Sequence, residues 1–261
     1  MERRVVYARA VSLFTVEDRE RVRERVLELA AADERVVAGA VVGSLAHGDG
    51  DRWSDLDLTF AVADGTPVLD VLTDWTRSVV DGFDAVHLFD LPSGATIYRV
   101  FLLPGCLQFD LSFTPASAFG AGGPKFKLLF GEAVERPYVG PPPAHELFGY
   151  AVHHALRARF CIERGRYWEA EYWISAVRDY ALSLACRRRD LPARYGRGFD
   201  GLPADVLDGF SGALIGSLER AELLRALERA VGGLLREAGE VPELAAKTEP
   251  ELRTLTARWD G

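Results

Sequence analysis

Apolar and polar positions change period several times along the chain. Residues 16–32 carry Val22, Val26, Leu29 and Ala30 at helical spacing, behind Thr15 and with Asp18 three positions on. That is the pattern of a capped amphipathic helix. An apolar run at Val36, Val37, Ala40, Val41 and Val42 follows and stops at Gly43-Ser44. Residues 54–60 then alternate, with Leu56, Leu58 and Phe60 on one face and Asp55, Asp57 and Thr59 on the other, the mark of a strand over about 56–62. Asp64-Gly65-Thr66-Pro67 reads as a turn into a helix whose inward stripe is Val68, Leu72, Trp75 and Val79. Strand-like runs follow at 85–90, 95–103 and 106–113, the last two separated by Pro104-Gly105. In the third, Leu107, Phe109, Leu111 and Phe113 share one face, and Gln108, Asp110 and Ser112 the other. Residues 126–130 read as a last strand or a short helix.

The segment PYVGPPP at 137–143 is the clearest linker. Beyond it the period is helical: 144–164, 167–189, a short piece near 203–210, 214–238, and a last piece after Pro250. The pattern predicts an α+β chain of two domains. The first, 1–138, holds a mixed β-sheet flanked by helices; the second, 144–261, is an α-helical bundle.

Composition narrows the class. Hydrophobic residues make up 48% and charged residues 27% of 261 residues, a globular balance. No apolar run reaches the roughly 18 residues of a membrane span, so no membrane partner is expected. Residues 1–5 are basic but lack the apolar core and cleavage site of a signal peptide. The cysteines Cys106, Cys161 and Cys186 are scattered without metal or redox spacing and read as small core residues. A cytoplasmic location is the expectation. The net charge of −8 argues against a non-specific nucleic-acid binder and suits a cationic small substrate.

Candidate chemistry gathers at 41–60. Asp55 and Asp57 lie one pleat apart on a single face and repel unless a cation sits between them. Hard divalent ions such as Mg²⁺ take oxygen ligands and share them with substrate phosphates. Gly43-Ser44 marks a strand-to-helix corner whose backbone N–H groups favour phosphate. Asp110 sits in a like pattern, a carboxylate on the polar face of a strand.

Gly43-Ser44, ten residues, then Asp55-x-Asp57 resembles the GS-x10-DxD motif of the DNA polymerase β-like nucleotidyltransferase superfamily. The string G-S-L-A-H-G…S-D-L-D-L is similar to its small-molecule branch, which includes aminoglycoside and lincosamide nucleotidyltransferases. His47 stands where many members carry Arg or Tyr. The resemblance implies an N-terminal nucleotidyltransferase domain and a helical acceptor-binding domain. It implies ATP or another NTP as donor, and two Mg²⁺ ions held by Asp55, Asp57 and a third carboxylate on a later strand, here Asp110. Gly43 and Ser44 join Asp55 and Asp57 in the nucleotide-binding set. Asp110 would serve as metal ligand, as general base, or as both; Glu146 at the domain joint is another candidate base.

Lys125, Lys127 and Arg52 either reach phosphate or are solvated charges. In the helical half, Glu171, Ser175, Arg178 and Asp179 fall on nearby turns of one side. They form either an acceptor face, together with Glu146, or an ion-pair face over an aromatic core. His153 and His154 read as helix-surface residues. The expected activity is transfer of an NMP group to a hydroxyl of a small molecule, with pyrophosphate released. Two rivals remain: an AMPylating enzyme acting on proteins, as in toxin–antitoxin pairs, and a non-catalytic nucleotide-binding module. A homodimer is also expected by resemblance.

Overall fold

Among the described residues, six strands form one mixed sheet in the order β3-β4-β5-β2-β1-β6. The computed structural model describes residues 12–48, 50–137 and 140–257. The basic N-terminal stretch and residues 138 and 139 of the linker lie outside them. The fold is α+β, and the chain divides into two compact units, Met1–Val139 and Gly140–Gly261.

The first unit runs α1 (Val16–Ala32), β1 (Val36–Val42), β2 (Leu56–Val62), α2 (Val68–Phe83), β3 (Val86–Ser93), β4 (Thr96–Leu103), β5 (Leu107–Pro115) and β6 (Phe126–Phe130). α1 opens on a capping box: Asp18 N donates to Thr15 Oγ1 at 3.1 Å and Thr15 N to Asp18 Oδ2 at 2.9 Å. Such a cap is worth about 1 kcal/mol. β2 and β5 pair in parallel and every other neighbour is antiparallel, so Asp110 sits on an interior strand. The alternation sends Leu56, Leu58 and Phe60 of β2, and Phe109, Leu111 and Phe113 of β5, into one core with α1 and α2. Trp75 lies at the centre of that core, edge-on to Phe113 at 5.0 Å, and its Nε1 donates to Asp33 Oδ2 at 2.8 Å. Both helices therefore cover one sheet face. The polar alternates of β2 and β5 look the other way.

β3 runs past the expected end because it pairs along a hairpin to Ser93, opposite Thr96. Cys106 is not a core residue: it is exposed, in the turn Pro104–Cys106, at φ 64°. Cys161 and Cys186 are buried as expected.

The second unit holds α3 (Ala144–Glu163), α4 (Tyr167–Arg187), α5 (Ala204–Ser211), α6 (Arg220–Glu237) and α7 (Pro242–Thr256). α6 begins later than the apolar pattern implies. Arg225 and Glu222 on its first turns take up the backbone of the preceding segment, at Gly212 O, Leu214 O and Gly216 N, and hold it out of the helix. α7 begins at Pro242, well before Pro250. A proline in the first turn forfeits no hydrogen bond, and Pro250 removes only one, while Leu252 and Leu255 beyond it are buried. Buried Arg159 donates through Nη1 to Leu255 O and Ala257 O, both at 3.0 Å, fixing the end of α7. Among the described residues, no helix is long and apolar enough to cross a membrane.

Candidate active site

Three carboxylates converge on the sheet face turned away from α1 and α2. Asp55 immediately precedes β2, Asp57 is its second residue, and Asp110 lies beside Asp57 in the parallel ladder. Parallel register puts Asp57 and Asp110 on the same side. One oxygen from each of the three lies within 4.8 Å of the others, and all three residues are half-buried. The crowding has an electrostatic signature. Burial pushes the Asp110 carboxyl above its usual range, and the Asp55 charge adds to that. Opposing both, Gln108 Nε2 donates to Asp110 Oδ1 at 3.0 Å. An oxygen-only donor set of three crowded carboxylates fits a hard divalent cation, which would relieve the repulsion.

The corner beside this cluster is the 3₁₀ turn Gly43–Ala46 at the end of β1. Gly43 has φ +73°, and a Cβ there would overlap Asp57 Oδ2 and lie 3.3 Å from the carboxyl carbon. Glycine is thus required by the carboxylate it abuts as well as by its dihedral. Its N–H donates to Lys125 O at 3.2 Å. His47 Nε2 hydrogen-bonds Pro124 O at 2.7 Å. Both bonds stitch the lead-in to β6 to the corner, and His47 spends its Nε2 on the second. Half-buried Ser44 remains the corner's candidate donor to an anion.

The loop between corner and cluster is held by a residue the apolar pattern does not single out. Arg19 of α1 is only 3% exposed, and its Nη1 donates to Asp51 O at 2.8 Å and Ser54 O at 2.7 Å. The signal was its place on the buried stripe with Val22 and Val26. A second set of bonds closes the loop: Asp51 Oδ1 accepts from Trp53 N at 2.8 Å, and Asp51 N donates to Ser54 Oγ at 3.0 Å. Arg52 lies over the exposed ring of Trp53. Lys125 and Lys127 are exposed.

In the helical unit, Glu171 accepts from Ser175 Oγ at 2.9 Å, and Arg178 Nη2 donates to Asp179 Oδ1 at 3.0 Å. These groups make polar contacts along α4 itself. Glu146 is exposed in the first turn of α3. His153 is exposed, whereas His154 is half-buried. It packs 4.7 Å from Trp173 and 5.3 Å from Tyr180, and burial lowers its pKa.

No protein-family model and no curated protein sequence matches the chain. Among solved structures it is similar to the nucleotidyltransferase toxin MenT4 from Mycobacterium tuberculosis, with 18% identity and a TM-score of 0.23, over 91% of this chain and 92% of that one. It is also similar to an aminoglycoside 6-adenyltransferase from Bacillus subtilis, with 12% identity and a TM-score of 0.39, over 94% of this chain and 100% of that one.

Proposed function

We propose that the chain is a Mg²⁺-dependent nucleotidyltransferase that moves an NMP group from ATP or another NTP to a hydroxyl of a small molecule, releasing pyrophosphate. One observation carries this reading: Asp55, Asp57 and Asp110 converge within 4.8 Å beside a corner where only glycine fits against Asp57. Asp55, Asp57 and Asp110 would hold one or two Mg²⁺ ions, which would supply positive charge to stabilise the transferring phosphoryl group. Asp55 and Asp57 would hold metal on the triphosphate side, with Asp110 as third ligand. Its second candidate role is the base that takes the proton of an acceptor hydroxyl. Ser44 Oγ offers a donor to the phosphates. Gly43 keeps Asp57 in place.

An aminoglycoside- or lincosamide-like acceptor is the favoured class. It rests on the motif resemblance and on the net charge of −8, which draws cationic molecules. In this reading residues 1–138 are the catalytic domain and 144–261 the acceptor-binding domain, with Glu146, Glu171, Arg178 and Asp179 as acceptor contacts.

The test is a pyrophosphate-release screen with Mg²⁺ and ATP against aminoglycosides and lincosamides. Turnover with one class is expected, and Asp55→Asn or Asp57→Asn should abolish it with little change in melting. Full turnover by either variant would end the mechanism. A labelled protein band from lysate and labelled ATP would move the acceptor to a protein.

A further inference from the structure

We propose that Trp53 and Arg52 form a stacking platform for the nucleobase of the donor, an inference that rests on the nucleotidyltransferase reading above. Trp53 is 59% exposed although it is the largest apolar side-chain type. The segment that presents it is not slack. Arg19 Nη1 grips the carbonyls of Asp51 and Ser54 on either side, and Trp53's own N–H is bound to Asp51 Oδ1. The ring is therefore displayed before any ligand arrives, which lowers the ordering cost of binding. The Arg52 guanidinium carbon lies 3.9 Å from the Trp53 ring centroid, a cation–π contact that steadies the indole.

Position and charge select the ligand. Trp53 and Asp55 are two residues apart, so their Cα atoms lie within about 7 Å. A nucleotide whose phosphates rest at the carboxylates carries its base one ribose away, on the scale of that separation. The Arg52 guanidinium, held over the ring, places one positive group within the otherwise acidic run from Asp49 to Asp57. A flat π-system beside an indole and a guanidinium is the chemistry this pair recognises. Every base has a π-face, so the platform supports affinity with little choice among NTPs.

The experiment is calorimetric titration of the full-length chain in Mg²⁺ with two probes: an ATP analogue carrying a methylene between the α and β phosphorus atoms, and inorganic tripolyphosphate. Trp53→Ala should weaken the analogue about tenfold and leave tripolyphosphate within about twofold, with Trp53→Phe close to wild type. The GTP counterpart should respond like the ATP analogue. Unchanged analogue binding by Trp53→Ala would overturn the proposal, and so would equal losses for both probes, which would mark a collapsed loop. If the wild type bound neither probe in a Mg²⁺-dependent way, the underlying reading would fall. That result differs from a failure of the platform alone, in which wild-type binding persists.

Discussion

Replacing Gly43 by alanine asks whether the corner exists for the carboxylate beside it. The dihedral φ of +73° is left-handed, which costs an L-residue about 1–2 kcal/mol. The new methyl would also overlap Asp57 Oδ2, so the carboxylate must leave its rotamer, at about 0.5–1.5 kcal/mol. The sum is a loss of about 1.5–3.5 kcal/mol. Gly65→Ala is the control: φ is +89° there, but a Cβ meets nothing within 4 Å, so only the backbone part applies. The two variants should both lower the urea midpoint. Only Gly43→Ala should weaken Mn²⁺ binding, by about tenfold or more, since a displaced ligand matters at least as much as a lost supporting bond. Mn²⁺ titration followed by electron paramagnetic resonance reads this without turnover. Gly43→Ala with wild-type Mn²⁺ affinity, or equal weakening by Gly65→Ala, would refute the reasoning.

Arg19→Leu strips the donors from two carbonyls at a nearly buried position, so urea denaturation should show a loss of about 2–4 kcal/mol, with weaker Mn²⁺ binding because the lead-in to Asp55 loosens. Asp33 is held at about 2 against an ordinary 3.8, chiefly by hydrogen bonds from Arg35, aided by Trp75 Nε1. A depressed carboxylate stabilises the fold above its unfolded pKa and loses that contribution as pH falls through the folded one. About 2 kcal/mol should therefore disappear between roughly pH 4 and pH 2, and Asp33→Asn should flatten that part of the stability profile. Asp110 has the opposite sign: its pKa is raised by burial and by Asp55, so its ionisation destabilises the metal-free fold at neutral pH. Asp110→Asn should raise stability in EDTA while removing metal binding, and a lower melting temperature would contradict this.

How far the chain can be read before folding differs element by element. Thr15 and Asp18 announce α1 because their hydrogen bonds are local, and the alternation at 56–62 announces β2 because pleat period is local too. The Gly43-Ser44 corner and the Asp55-x-Asp57 pair carry a recognisable spacing. Asp110 does not: its nearness to Asp57 depends on a parallel ladder between distant segments. Arg19 was hidden for a similar reason, since its partners are two carbonyls more than thirty residues away. Cys106 matched an apolar pattern but falls in a turn with left-handed φ, which periodicity does not encode. Leu214, Ile215 and Leu218 look helical by composition, yet side chains from α6 claim the neighbouring backbone. His154 escaped because its burial comes from aromatic rings on another helix.

The parallel pairing of β2 with β5 also sets when the centre comes into being. Antiparallel neighbours can zip from a hairpin, but parallel strands meet only after the intervening chain has been laid down, and closing that long loop is slow. A nascent chain that has emerged only as far as β4 holds Asp55 and Asp57 without their third companion. The three-carboxylate cluster is thus assembled late, by the same event that completes the middle of the sheet.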